Sequence, residues 1–256
     1  MDYEQFKSQV FTLTQIDLSS YKEKQMKRRI DALILKNKFK GYDDYIIAIK
    51  KEKTLLEEFV NYLTINVSEF YRNPEQWKVL ETDILPELLK HGKNLKIWSA
   101  ACSTGDEPYT LVMLLSKYIP MSNISILATD LDKQVIEKAK LGLYSSKSLV
   151  GLPKEYKDKF FKVAGDNAYQ IDNSVKKCVQ FKQHNLLKDT YPTGYDLILC
   201  RNVLIYFTED AKEEVYRKFN SSLRSGGVLF VGSTEQIIKY KELNYESHKS
   251  FFYMKL

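Results

Sequence analysis

The stretch Lys96-Ile-Trp-Ser-Ala-Ala-Cys-Ser-Thr-Gly-Asp-Glu-Pro-Tyr109 reads as a strand that runs out into small residues, turns at Gly105 and enters a helix. Small residues let a ligand come close to the backbone, and the first turn of a helix offers N–H groups that no carbonyl of its own helix takes up. Pro108 suits the first helical position. Dinucleotide folds use this corner for phosphates and need three glycines there. Here Gly105 stands alone, and two acids, Asp106 and Glu107, occupy the helix mouth. Those acids would repel a pyrophosphate and suit a ligand with a cationic ammonium end, which favours S-adenosylmethionine over a nicotinamide dinucleotide. The plainer alternative is that they only cap the helix and its dipole.

Working outward, short apolar runs recur at Leu95–Ala100, Ile124–Thr129, Val179–His184, Asp196–Cys200 and Val228–Gly232. They are separated by helical patterns at Pro108–Tyr118, Asp132–Leu141 and Thr208–Leu223. This alternation predicts an α/β fold: a mainly parallel sheet with covering helices. An insertion at about 144–177 carries its own strand-like pieces, Phe160–Val163, Ala168–Ile171 and Val175–Phe181. With Asp172-Asn173-Ser174 as a turn, it predicts a small antiparallel subdomain. Ser250–Leu256 should form a last strand hairpinned on Val228–Gly232. Residues 1–75 are different. Phe6, Val10 and Leu13, then Met26, Ile30, Leu33 and Ile34, recur at helical spacing, Gly41 is expected to end that second helix, and Asn73-Pro74 breaks the pattern. The expected division is a helical domain at 1–75 and an α/β domain at 76–256.

Strand ends in parallel sheets are where ligands bind. Asp130, at the tip of the second strand, is placed to accept ribose hydroxyls, and Asp132 to cap the next helix. Asn185 follows the third strand and Asn202 the fourth, and topology aims both at one crevice; the plainer alternative is that each only satisfies its own loop. The three cysteines and three histidines are scattered. No metal site and no Ser-His or Cys-His couple is expected, and reduced thiols fit a cytoplasmic setting. No apolar run reaches the 18 or so residues of a spanning helix, and the polar Met1-Asp2-Tyr3-Glu4 start does not resemble a signal peptide. The net charge is +6, and the stretch from Lys22 to Lys40 holds eight Lys/Arg against Glu23 and Asp31. Such a stripe attracts an acidic partner, or is simply a solvated helix face.

The segments Leu63-Thr-Ile-Asn-Val-Ser-Glu-Phe-Tyr-Arg72, Trp98 to Tyr109, Ala128-Thr-Asp-Leu-Asp132 and Cys200-Arg-Asn-Val-Leu-Ile-Tyr-Phe207 together resemble the motifs of the CheR family of chemotaxis protein-glutamate O-methyltransferases. The resemblance covers nearly the whole chain. It implies a class I S-adenosylmethionine methyltransferase sheet, Rossmann-like, with the β-subdomain inserted and the helical domain in front. It implies Asn66, Ser68, Arg72, Glu107, Asp130, Asn185, Leu186, Asn202 and Val203 as cofactor residues. Glu107 would receive the methionine ammonium and Asp130 the ribose, with Arg72 and Tyr206 beside the transferring methyl. Ser68 stands where Thr is frequent and Asp106 where Glu is frequent; both keep the hydrogen-bonding chemistry. S-adenosylhomocysteine is the implied product, with no metal. The implied partner is the glutamate-rich helical bundle of a chemoreceptor, met by Lys24, Lys27, Arg28 and Lys36, by a monomeric cytoplasmic enzyme recruited to receptor arrays. Arg29, close to the apolar stripe, is expected to be structural. A nucleic-acid methyltransferase suits the basic charge, but Arg201-Asn202-Val203-Leu204 lacks the prolines and stacking ring such enzymes carry after the fourth strand. A cofactor-binding adaptor without transfer is the non-enzymatic alternative.

Overall fold

The computed structural model describes every residue except His91. Contacts divide it into a helical unit, Met1–Asn66 with Val203–Glu214, and an α/β unit, Val67–Asn202 with Val215–Leu256. The first division thus falls at Asn66/Val67, ahead of the boundary expected at 75.

In the helical unit, α1 (Tyr3–Thr14) opens with a capping box: Asp2 accepts from the Gln5 N–H while the Gln5 side chain reaches back. Helix α2 (Glu23–Lys36) buries Met26, Ile30, Leu33 and Ile34, the predicted stripe. Gly41 does not end this helix. Lys38, left-handed at φ 62°, does so, with Phe39 N donating to Ile34 O at 3.1 Å in the manner of a Schellman cap. Gly41 instead precedes α3 (Tyr42–Lys51), which is followed by α4 (Lys53–Thr64). The rings of Phe6, Tyr45 and Phe59 meet edge-on at the centre of the unit.

The α/β unit begins with α5 (Pro74–Val79), a π-turn at Leu80–Ile84 and α6 (Leu85–Leu89). Pro86, which has no N–H to donate to Thr82, lies just past that turn. Then come β1 (Ile97–Ala100), α7 (Asp106–Leu115), β2 (Ile126–Asp130) and α8 (Lys133–Leu141). The insertion holds β3 (Leu143–Ser145), α9 (Lys154–Phe160), β4 (Phe161–Gly165), β5 (Ala168–Ile171) and α10 (Asn173–Lys176). The chain continues through β6 (Val179–Gln183), β7 (Tyr195–Cys200), α11 (Glu209–Ser222), β8 (Leu223–Val231), β9 (Tyr245–Lys249) and β10 (Phe252–Lys255).

The main sheet runs β6-β2-β1-β7-β8-β10-β9, and a second, antiparallel sheet runs β3-β5-β4. Strands β6, β2, β1, β7 and β8 are parallel; β10 is antiparallel to both its neighbours. A central parallel strand is covered on both faces, and β1 is buried at every position. Pro108 to Leu115 of α7 are likewise buried throughout.

Two sequence expectations differ from this. Val175–Phe181 is not a subdomain strand: Asp172 accepts from Ser174 N and starts α10 instead of a turn, and Val179–Gln183 joins the main sheet. The subdomain takes β3 as its third strand. Near the C-terminus β10 does lie on β8, but its hairpin partner is β9, whose Tyr245-Glu-Ser-His-Lys249 is too polar to announce a strand.

Candidate active site

The floor of the site is the loop after β1. Ala101 and Ser103 are left-handed, at φ 66° and 47°, which costs energy for residues that carry a Cβ. The distortion delivers bonds to the neighbouring strand: Cys102 N donates to Thr129 O at 2.8 Å, and Ser103 N to the Asp130 carboxylate at 2.8 Å. Asp132 N donates to the other Asp130 oxygen at 3.0 Å, and Asp132 caps α8 through Gln134 N, as expected. The Asp130 carboxylate is thus held at the strand tip by two backbone donors. Burial raises its pKa to about 6, against the pull of those two bonds and of a further one from the Leu131 backbone. Gly105 turns the chain at φ +87°, and a Cβ there would stand 2.9 Å from that of Ala139, so only glycine fits.

Helix α7 opens with the two acids, and Pro108 sits third rather than first. They do not serve as simple caps. Asp106 is 1% exposed and takes one bond from the Thr104 hydroxyl at 2.5 Å and another from Ser68. Glu107 accepts from Ser99 Oγ at 2.8 Å and from Arg201 Nη1 at 3.4 Å. Burial pushes both carboxyls up, and at Glu107 the Arg201 charge acts in the opposite direction.

Arg201, which sequence reasoning passed over, is the centre of the arrangement. It is buried, with its guanidinium 5.2 Å from the Trp77 ring and 4.6 Å from that of Phe230. Its Nη2 donates to Arg72 O at 2.8 Å, Gln76 Oε1 at 2.9 Å and Asn73 Oδ1 at 3.3 Å. Burial lowers its pKa while Glu107 opposes the shift. One guanidinium therefore ties the helix mouth to the segment that carries Arg72.

That segment is fixed from its other side as well. Phe70 N donates to Ser148 O, and the Phe70 ring packs edge-on against Tyr144 and Phe161 at 4.7 and 5.2 Å. Tyr71 N donates to Thr110 Oγ1 at 3.2 Å, and Tyr71 and Asn73 are both left-handed. Arg72, between them, donates from Nη1 to Val67 O at 3.2 Å. The result is a narrow cleft whose lining includes Ser68, Arg72, Ala101, Ser103, Glu107 and Asn202.

The structure thus brings Ser68, Arg72, Glu107 and Asn202 to one cleft, with Asp130 bonded to its floor through Ser103 N. Asn185 and Leu186 follow β6 and are not among the cleft-lining residues. The side-chain Oδ1 of Asn185 accepts from Leu187 N at 2.9 Å, a loop-forming bond, and Leu186 is buried. Asn66, Val203 and Tyr206 belong to the helical unit, where the Tyr206 carbonyl accepts from Lys22 N at 2.8 Å. Lys24, Lys27 and Arg28 are exposed on α2, whereas Lys36 is paired with Glu58 at 2.8 Å. Arg29 is structural, as expected, donating to Tyr62 O at 2.6 Å.

Ser103 Oγ, Asp106 Oδ1 and Asn202 Oδ1 are among the buried atoms of the α/β unit that have no hydrogen-bond partner among the described residues. Acids at the helix mouth and strand tip, with unsatisfied polar atoms around a small-residue loop, fit a nucleoside joined to an amino acid. The family model described as "CheR methyltransferase, SAM binding domain" matches residues 66–251, and "CheR methyltransferase, all-alpha domain" matches residues 1–64. The chain belongs to the CheR methyltransferase family. Among curated relatives, the chemotaxis protein methyltransferase of Listeria monocytogenes is 44% identical over 94% of this chain and 92% of its own length. That of Borreliella burgdorferi is 33% identical over 90% and 86%, and chemotaxis protein methyltransferase 2 of Vibrio cholerae is 32% identical over 86% and 79%.

The CheR chain is therefore an S-adenosylmethionine-dependent methyltransferase, and the cleft residues can be read against that cofactor. Glu107 suits the ammonium of the methionine part, Asp130 the ribose hydroxyls, and Asn202 Oδ1 a remaining donor. The cofactor when bound supplies an electrophilic methyl group. Among the described residues, no cluster of three His, Cys, Asp or Glu is arranged to hold a metal ion, and no helix is long and apolar enough to cross a membrane.

Proposed function

We propose that this CheR chain methylates glutamate side-chain carboxylates of chemoreceptors, forming methyl esters that adapt the sensory response. The observation that carries this reading is Arg72: a guanidinium on the cleft wall shared with Glu107, held by its own backbone carbonyl to Arg201. Guanidinium and carboxylate match in shape and charge. A glutamate of ordinary pKa near ~4.3 is already ionised at neutral pH and needs no general base. The chain's task is to strip water from a poor nucleophile and aim it. In this reading Arg72 holds one acceptor oxygen while the other faces the methyl donor, and Tyr206 orients acceptor or donor. Lys24, Lys27 and Arg28 of α2 form the outward basic face for a glutamate-rich helical bundle; the Lys36–Glu58 pair makes Lys36 the least available of the four. The names of the relatives support a role in chemotaxis.

The test is transfer of labelled methyl from S-adenosylmethionine to a purified receptor cytoplasmic fragment, followed by mild alkali. Label that leaves as methanol supports a glutamyl ester, whereas alkali-stable label would point to N-methylation. Arg72→Ala should slow transfer roughly 10- to 100-fold, the worth of one charge-assisted bond. If it weakens cofactor binding by the same factor, Arg72 is only a cofactor ligand.

A further inference from the structure

The loop after β8 contains a buried acid to which the reading above gives no part. Glu235 is 5% exposed. Its Oε2 accepts from Asn202 N at 2.5 Å and from Gly232 N at 2.9 Å. Asn202 is left-handed, at φ 61°, immediately after Arg201. A β-carbon at position 232 would stand 2.5 Å from Glu235 Oε2 and 2.8 Å from Asn202 N, so the glycine is what lets the acid reach the asparagine. Glu235 also contributes to raising Glu107 and bears on Arg201, so its charge is felt at the helix mouth. A buried carboxylate is costly unless it is well paired. Here its charge-assisted bonds fix a strained residue that lines the cleft.

We propose that Glu235 is a positioning residue for the cofactor cleft, holding Asn202 in its left-handed conformation through the Asn202 backbone N–H. This rests on the reading of the cleft as the S-adenosylmethionine site. Both bonds go to a single oxygen, so glutamine can keep them and alanine cannot. Glu235→Gln should therefore bind S-adenosylhomocysteine within about threefold of the unaltered chain, and Glu235→Ala at least tenfold more weakly, by calorimetry on the full chain. In amide NMR spectra the Asn202 and Gly232 signals, shifted downfield by a carboxylate acceptor, should move upfield together in Glu235→Ala. Gly232→Ala, which retains Glu235 but crowds its carboxylate away from Asn202 N, should reproduce the loss and covers the case in which Glu235→Ala does not fold. Equal affinity of Glu235→Ala and the unaltered chain, or an Asn202 amide that does not move, overturns the proposal. Equal damage from glutamine and alanine overturns it too, because the charge rather than the tether would then matter. Failure of the unaltered chain to bind S-adenosylhomocysteine would instead sink the reading of the cleft.

Discussion

If Asp130 receives the ribose as proposed, cofactor affinity should depend on pH, in a direction set by the bonds that the carboxylate already accepts. Ribose hydroxyls can donate only to an oxygen lone pair, and the two backbone N–H groups from Ser103 and Asp132 already demand acceptors, so the ionised form is the one that binds. With a pKa of about 6, Asp130 is almost wholly ionised at pH 8, half ionised at pH 6 and about one-tenth ionised at pH 5. S-adenosylhomocysteine should therefore bind about twofold more weakly at pH 6 than at pH 8 and about tenfold more weakly at pH 5. Glu107, also pushed up by burial, adds to the loss and never opposes it. Calorimetry in two buffers of different ionisation enthalpy should show about half a proton released from Asp130 per ligand bound at pH 6. Asp130→Asn should bind weakly at every pH, with a flatter acid limb. The same group sets a stability trend in the ligand-free chain. The folded state keeps a proton that the unfolded chain, at 3.8, has already lost. The Asp130 contribution is thus full below about pH 4 and lost as pH rises through 6, a change of about 3 kcal/mol. A dissociation constant that stays level from pH 8 to 5, in protein shown still folded by near-ultraviolet circular dichroism, would refute the assignment of Asp130 as an ionised ligand.

Arg201→Met should destabilise the chain by roughly 3–5 kcal/mol in denaturant unfolding, since Glu107 is left buried without its cation, and adding Glu107→Gln should recover part of that loss. Gly105→Ala should cost about 1–3 kcal/mol through backbone strain and crowding against Ala139, read as a lower melting temperature, and should weaken cofactor binding in step. Charge reversal at Lys24, Lys27 and Arg28 should weaken receptor binding in a manner that added salt mimics in the unaltered chain, whereas Lys36→Glu should do less because Lys36 already has Glu58. Receptor binding insensitive to salt would remove the electrostatic argument.

The α/β order, the inserted subdomain and the acids at strand tip and helix mouth were legible because each is a local pattern. A burst of small residues after Trp98, an aspartate at Asp130 and helical spacing in α2 all announce themselves over a few positions. What escaped was set by distant contacts. Nothing in Cys200-Arg-Asn marks Arg201 as buried between two aromatic rings, and nothing in Gly232-Ser-Thr-Glu tells that Glu235 reaches back to Asn202. Strand β9 was missed because an edge strand with one solvated face can be polar, and α10 because an Asp-Asn-Ser run suits a helix start as well as a turn.

The sheet order carries a consequence for how the chain comes to be folded. Strand β1 pairs with β2 nearby but also with β7, matching Ile97 to Leu197, and Lys96 N bonds Asp196 across 100 residues of chain. Closing so long a loop costs entropy before any contact repays it, so this pairing belongs to the slow part of folding. Arg201 is the residue that follows β7. The clamp on Arg72 and the counter-charge to Glu107 therefore come into being with that late pairing. A nascent chain released before Tyr195 would own the loop, the acids and Arg72 yet lack the clamp that joins them, so competence to bind cofactor should arrive at the end of folding rather than grow along the way.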